Sequence, residues 1–334
     1  MNTFSRMGAG PMERPKIVVT GGAGFIGSHM VDALVEDADV VAVDNLSAGK
    51  KGNLASAIRA GATFRNHDLL RGDLGPIFRG ADVVYHFAAN PDVRLGREGA
   101  RPLIDQNIVA TFRVLEACRD AKVSKIVFTS TSTIYGEATE VPTPEVYAPL
   151  EPISVYGASK LASEALLSAY AHTSGVQAVV FRLANVVGGR SGHGVVVDLV
   201  RKLARDPTRL EILGSDPGTA KSYVHIDDTV AGIAAGVQAA QAPVSVYNLG
   251  TEDTITVRSL ADAVCEVLGL RGVQYHWTGG AGGGRGWAGD VRVMQLSIER
   301  LRATGWRPRR SSEAAIRAAA EDASASLRKK TASS

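Results

Sequence analysis

Cysteine is nearly absent: Cys118 and Cys265 are the two thiols among 334 residues. With two cysteines in all, and Cys118 on the apolar phase of the helical stretch 105–120, both read as reduced core thiols rather than a disulfide or a metal site. Long apolar runs are missing as well, so no segment reads as a membrane span. Met1 to Pro15 lacks the apolar core of a secretory signal and reads as a flexible extension, which leaves a cytoplasmic location as the expectation. Charge of one sign is also lacking. Lys plus Arg is 37 against 34 for Asp plus Glu, and the net charge of +3 gives no reason to expect a nucleic-acid partner. The basic excess is local, from Arg300 to Lys330, and reads as a solvated terminal helix and tail. No internal repeat is visible. His225, Asp227 and Asp228 are crowded as in a strand end rather than spread as metal ligands, and no metal is expected.

What is present is a rhythm. With 45% hydrophobic and 21% charged residues the chain is long enough for a large core, as one big domain or two linked ones. Short β-branched runs at 16–20, 40–44, 63–67, 83–87, 125–130 and 178–183 alternate with helical patterns at 24–36, 105–120 and 157–174. Buried parallel strands joined by crossover helices produce this alternation, so the fold class is α/β, a doubly wound parallel sheet. After about Val186 the rhythm breaks into a loop at 188–194, a helix at 195–205, a strand at 210–213 and a helix at 256–268. Segments 222–228 and 246–250 read as returns to the main sheet. The expected organisation is a Rossmann-type domain over 16–186 with returns near 222–250, a smaller C-terminal substrate-binding α/β domain from 187–221 and 251–320, and a tail from 321 to 334.

Two constellations carry chemistry. The first is Gly21, Gly24 and Gly27, set between a strand and an amphipathic helix that begins near Phe25 and Ile26. Glycine at these places allows a tight turn, a close backbone approach to a pyrophosphate and close helix packing, and the helix N-terminus offers free N–H groups to phosphate. Asp44 ends the next strand, where a carboxylate accepts hydrogen bonds from both ribose hydroxyls and repels a 2′-phosphate; with Asn45 after it in place of an arginine, NAD is favoured over NADP. Ser47 extends that cofactor edge. Asp68, with Leu69 beside it, stands at the third strand end, where it suits either the adenine amino group or a turn.

The second is Tyr156-Gly157-Ala158-Ser159-Lys160, which puts a phenol and an ammonium on one helix face. A neighbouring positive charge favours phenolate and makes a general base. Thr131, Ser132 and Thr133 close the strand that begins at Lys125, where hydroxyls reach both a sugar oxygen and Tyr156. His86 at a strand end reads as a hydrogen-bonded core histidine rather than an acid or base.

Thr20-Gly-Gly-Ala-Gly-Phe-Ile-Gly-Ser28, His86-Phe-Ala-Ala89, Ser132-Thr-Ile-Tyr-Gly136, Tyr156-Gly-Ala-Ser-Lys160, Tyr223-Val-His-Ile-Asp-Asp228 and Tyr247-Asn-Leu-Gly250 stand in an order that resembles the extended short-chain dehydrogenase/reductases. The chain is most similar to the NAD-dependent epimerase/dehydratase branch, and within it to UDP-glucose 4-epimerases, from about Lys16 to Pro308. The resemblance implies Tyr156 as base, Lys160 as the residue that tunes it and holds the nicotinamide ribose, and Thr131 as the catalytic hydroxyl. It implies cofactor contacts at Phe87, Ala88, Ala89 and Asn107, and substrate contacts at Asn185 and along the loop and following stretch that carry Arg190, His193 and Val195. Lys221 and Arg285 are the cations for the diphosphate, with Asp290 nearby. A homodimer built from the helices 105–120 and 157–174 is implied too. Two departures stand out: Pro91 replaces an expected lysine, and Trp287 replaces an expected arginine, with Arg285 two residues earlier. The implied reaction is C4 epimerisation of a UDP-hexose. Related 4,6-dehydratases carry Asp and Glu where this chain has Ser132 and Thr133, whose hydroxyls cannot do that proton work at neutral pH. UDP-glucuronate 4-epimerisation is the alternative, followed by dehydration; a non-catalytic NAD-binding sensor is the reading from a different class.

Overall fold

The computed structural model describes residues 14–95 and 99–332, so the extension expected at 1–15 lies almost wholly outside the described residues. The first six strands are β1 (Lys16–Thr20), β2 (Asp39–Asp44), β3 (Thr63–Asn66), β4 (Val83–His86), β5 (Lys125–Thr131) and β6 (Gln177–Leu183). They are followed by β7 (Asn185–Val187), β8 (Arg209–Ile212), β9 (Ala220–Lys221), β10 (Tyr223–His225), β11 (Val244–Leu249), β12 (Ile255–Thr256), β13 (Gln274–Trp277) and β14 (Val293–Met294). One seven-stranded sheet has the order β11-β6-β5-β4-β1-β2-β3, with every neighbouring pair parallel. The order reverses between β1 and β4, which is the doubly wound, Rossmann-type arrangement.

The strand sequences are continuous apolar runs because both faces are covered. Ile17, Val19, Val40, Ala42, Val127, Val179 and Phe181 enter one core cluster, while Val18, Val43, Val84, Ile126, Phe128, Ala178 and Val180 enter a second on the opposite face. The two-residue period of a strand deals alternate side chains to each layer. A third cluster gathers Val196, Leu199, Leu203, Leu260, Val264, Ile316 and Ala320 from the helices Val195–Arg205, Val257–Val267 and Ser312–Ala332, with Leu210 from β8.

Three expectations are corrected. Residues 222–228 do not return to the main sheet: β10 is three residues long and pairs in parallel with β7 in a separate two-stranded sheet. The chain then turns into the helix Ile226–Ala239, capped by His225 Nδ1 accepting the Asp227 N–H at 3.2 Å, with Asp227 and Asp228 in its first turn. An apolar run of that length is ambiguous between a strand and a buried helix start, and the acidic first turn decides for helix. A Cβ on Gly236 would stand 2.6 Å from the Phe181 ring, so this helix lies tightly on β6. Residues 321–332 are not a loose tail but continue the helix Ser312–Ala332, anchored by buried Ala315, Ile316, Ala319 and Ala320, while 333 and 334 lie outside the described residues. The helix expected at 105–120 opens as a π-helical turn, Ile104–Val109, before becoming α-helical over Ala110–Asp120.

A buried ion pair ties the layers together. Arg182 of β6 donates from Nη2 to the Glu164 carboxylate at 2.8 Å, with both side chains under 10% exposed, and from Nη1 to the Tyr135 hydroxyl and the Glu145 carbonyl at 2.9 Å. Glu164→Ala leaves that guanidinium without its counter-charge, and the expected loss is about 3–5 kcal/mol in urea denaturation, against under about 0.5 kcal/mol for the exposed Arg317→Ala.

Candidate active site

The glycine loop is shaped by backbone crowding. Gly21 has φ +67°, and a Cβ on it would lie 2.6 Å from the backbone nitrogen of Ala88. A Cβ on Gly27 would lie 2.1 Å from the Gly21 carbonyl oxygen, so the first helix can sit against the loop only without a side chain there. Gly24 is the N-cap of the helix Phe25–Leu34 and supplies no side-chain cap, which leaves the N–H groups of the first turn, at Phe25 and Ile26, facing the loop's mouth. This cradle fits a pyrophosphate. Asp44 closes β2 beside it, its carboxylate accepting the Ala23 N–H at 3.1 Å and the Leu46 N–H at 2.7 Å. These bonds hold the acid against the loop, where a ribose bound to the cradle would lie. Asn45 accepts the Ser47 N–H at 3.0 Å, and Asp68 accepts the Leu70 N–H at 3.0 Å while pairing with Arg71 at 3.7 Å. Asn45 and Asp68 therefore make local turns at strand ends, with Leu69 buried behind.

Across the switch point, Phe87, Ala88 and Ala89 run on from β4, and the Phe87 N–H donates to the Thr20 carbonyl at 3.1 Å. Asn107, in the π-helical turn, accepts the Asn90 N–H at 2.7 Å and donates to the Ser159 hydroxyl at 2.9 Å. It props the wall of the crevice against the helix Val155–Ser174.

That helix starts where the Ser154 hydroxyl accepts the Gly157 N–H at 3.0 Å. A Cβ on Gly157 would stand 2.8 Å from the Thr133 carbonyl, so glycine lets the helix start press on the end of β5. The contact brings Tyr156 beside Thr131, whose hydroxyl acts on the ionisation of the phenol. Thr131 also accepts the Thr133 N–H at 3.2 Å, its hydroxyl lies 3.1 Å from the Thr133 hydroxyl, and Ser132 is buried at the start of a short 3₁₀ turn. Burial drives the Tyr156 phenol up to about 12, and the neighbouring Thr131 hydroxyl opposes the rise. Lys160 was expected to lower it, but the chain's own packing gives Lys160 a different place. Its ammonium sits 4.1 Å from the centroid of the Phe128 ring, and burial pulls it down to about 7 with Glu164 acting against the fall. Burial thus favours the neutral amine, and Thr131 is the group of this chain that favours phenolate.

The substrate-side candidates fall into separate places. Asn185 of β7 bonds the Ser222 carbonyl through its side chain at 3.2 Å and so joins the two short strands. Lys221 pairs with buried Asp290 and lies 5.3 Å from the centroid of the Trp287 ring, while Asp290 also accepts the Gly286 N–H at 3.2 Å. Arg285 is held by Glu137 at 2.7 Å. Among the described residues, Arg285 Nε and Trp287 Nε1 are buried without a hydrogen-bond partner. Arg190, at φ +65°, is turned to Asp32 at 2.6 Å and lines a cavity of about 410 Å³ with His29, His225, Arg310 and Asp322, a lining that includes neither Tyr156 nor the glycine loop. His193 is exposed, and its carbonyl accepts the Ser191 hydroxyl at 2.8 Å; Val195 begins the next helix. Glu137 was not anticipated. Its place directly after Ser132-Thr-Ile-Tyr-Gly136 is the only signal, and its role depends on a partner 148 residues away.

Comparison with known proteins agrees with the fold and gives the family. The model of the "NAD dependent epimerase/dehydratase family" matches residues 17–250. A crystal structure of a UDP-galactose 4-epimerase is 42% identical, with a TM-score of 0.83, covering 94% of this chain and 99% of its own. The UDP-glucose 4-epimerase of Thermotoga maritima, solved with UDP-glucose, is 31% identical, with a TM-score of 0.83, covering 95% and 99%. The UDP-glucuronic acid 4-epimerase of Bacillus cereus, solved with UDP-glucuronic acid and NAD, is 26% identical, with a TM-score of 0.83, covering 92% and 98%.

Gly27→Ala is expected to leave the fold assembled but reduce dinucleotide retained on purification by ~10-fold or more, because the methyl group forces the first helix off the loop. Gly52→Ala, at a glycine with open space around it, serves as control and should retain its cofactor. Bound nicotinamide released by heat and quantified by chromatography is the measurement.

Proposed function

The chain belongs to the NAD-dependent epimerase/dehydratase family, and from that premise we propose that it is an isomerase inverting C4 of a UDP-hexose, of the UDP-glucose/UDP-galactose type. The observation that carries this reading is the Tyr156 phenol set beside the Thr131 hydroxyl, which favours its ionisation, on a helix whose next turn holds buried Lys160. NAD, when bound, supplies the place where the C4 hydride is parked and returned, and a positive ring whose field acts on the phenol in the same sense as Thr131. Everything else falls to the chain. Tyr156 takes the proton of the C4 hydroxyl as the carbonyl forms and gives it back when C4 is reduced from the other face. Thr131 holds the reacting oxygen and the phenol in one line, which supplies orientation. Lys160 provides a donor for ribose hydroxyls, and it acts as a cation on the phenol only where bound anionic groups restore the charge that burial suppresses.

Beyond Thr131 the strand end offers only Ser132 and Thr133, so the reading stops at the 4-keto sugar and its reduction and does not extend to loss of water. Lys221 and Arg285 are the cations proposed for the diphosphate. Each is paired with an acid, so binding there means sharing or replacing Asp290 and Glu137. The hydroxyl cluster Thr131-Ser132-Thr133 also suits a sugar carboxylate, which supports UDP-glucuronate as the second substrate class. A homodimer is proposed through the helix face bearing Phe112, 44% exposed, and Val109, 38% exposed, beside Tyr170 at 6.5 Å from Phe112.

Tyr156→Phe is expected to keep NAD and lose turnover by about 10²–10⁴-fold. Incubation of the wild-type chain with a panel of UDP-sugars in deuterated water, followed by NMR, checks the reaction. A C4 epimer without deuterium on carbon supports the reading, whereas deuterium at C5 with loss of water overturns it in favour of dehydration.

A further inference from the structure

A chain of buried hydrogen bonds runs beneath the crevice, from the wall at Ala88 to the helix that carries Tyr156, and its direction can be read from its donors. The Thr111 hydroxyl donates to the Asn107 carbonyl at 2.5 Å. Its oxygen therefore meets His86 Nε2, 2.9 Å away, with lone pairs only, and Nε2 must carry the proton. Nδ1 is then the acceptor, and the Thr20 hydroxyl donates to it at 2.7 Å. The Thr20 oxygen in turn accepts the Ala88 N–H at 3.4 Å. At the far end the Asn107 carbonyl also receives the Ser163 hydroxyl at 3.1 Å, and the Asn107 amide donates to Ser159, whose hydroxyl bonds the Tyr156 carbonyl at 2.8 Å.

We propose that His86 is a positioning residue for the reaction: its neutral, Nε2-protonated ring couples the strand end before the glycine loop to the π-helical turn at Asn107, and through that turn sets Tyr156 and Lys160 against the cofactor wall. The proposal rests on the functional reading above and extends it to a residue that touches neither substrate nor cofactor. The ring is fully buried and tilted against Phe128 at 5.7 Å, and the ammonium of Lys160 caps the same phenylalanine at 4.1 Å. Lys160 is the charged group facing it; Thr20, Thr111 and Phe128, which pack on it from β1, the Ala110–Asp120 helix and β5, are neutral. Burial and that ammonium hold the imidazole down to about 3, which keeps it uncharged. A second proton on Nδ1 would set two donors against each other at Thr20 and break the chain where it meets the wall. A π turn placed at such a junction is a local irregularity of the kind that gathers at functional sites.

The test uses the NAD-loaded enzyme. In ¹⁵N-histidine-labelled protein, His86 is expected to show a protonated Nε2 and a bare Nδ1, unchanged from pH 5 to pH 9; a protonated Nδ1 or a titrating ring overturns the assignment without any variant. His86→Leu, which keeps bulk and removes both bonds, is expected to lower kcat by about 10- to 100-fold with KM for the UDP-sugar nearly unchanged. His86→Gln, which offers one acceptor and one donor, should recover most of that loss. Thr111→Val should reproduce the Leu defect, and the double variant should be no worse than either single one; additive losses would overturn the coupling. The ionisation of ¹³C-labelled Tyr156, assigned by its disappearance in Tyr156→Phe, should shift in His86→Leu and return in His86→Gln. This titration needs no turnover, so an unchanged phenol refutes the positioning role, whereas a wild-type chain inactive on every UDP-hexose refutes the functional reading.

Discussion

Between β1 and β4 two backbone segments leave the sheet side by side, and nothing larger than a hydrogen fits where they touch. Gly21 lies against the nitrogen of Ala88, and Gly27 lies against the carbonyl of Gly21. This close approach fixes where the first helix begins, which way its free N–H groups point and how near the wall after β4 comes to them. Asp44 is pinned to the same turn through the Ala23 N–H. The crevice follows from strand order, since parallel strands with helices on opposite faces must part at this place.

The opposite side of the crevice is governed by burial of polar groups rather than by contact of backbones. Lys160, Thr131, Asn107 and His86 are buried and Tyr156 is half-buried, and each is supplied with a partner or a neutral form. Burial pushes the phenol up and the ammonium down, both toward the uncharged state. Thr131 opposes the first shift and Glu164 the second, so the protein's own neighbours set how far each group is biased toward its uncharged form. The diphosphate candidates are paired as well, Lys221 with Asp290 and Arg285 with Glu137, although Arg285 Nε is buried without a partner. A ligand anion meets these cations already partnered, which favours exchange of partners over capture by bare charge.

Much of the architecture was legible in the residues. β1 was read with its observed ends, the helix Val195–Arg205 likewise, and the other sheet strands to within two residues, because two-sided burial writes itself as continuous β-branched runs. The segment after Ser222 was misread because a three-residue strand and a buried helix start share one apolar run, and only pairing with β7 separates them. Among site residues, the glycines and Tyr156 stand where their spacing implied. Arg190 and His193 do not join them, since a positive-φ turn sends Arg190 to Asp32 and His193 faces out.

Local sequence by itself determined the glycine turn, the strand-helix alternation and the Tyr/Lys pair on one helix face, because each rests on backbone freedom or on a period of two or 3.6 residues. Tertiary structure alone decided which charges survive and which hydroxyls meet. Thr131 reaches Tyr156, and Glu137 reaches Arg285, across long stretches of chain. His86 finds Thr20 and Thr111 on two other elements. Ionisation and hydrogen-bond direction depend on desolvation and on neighbours distant in sequence, and no short-range pattern encodes either.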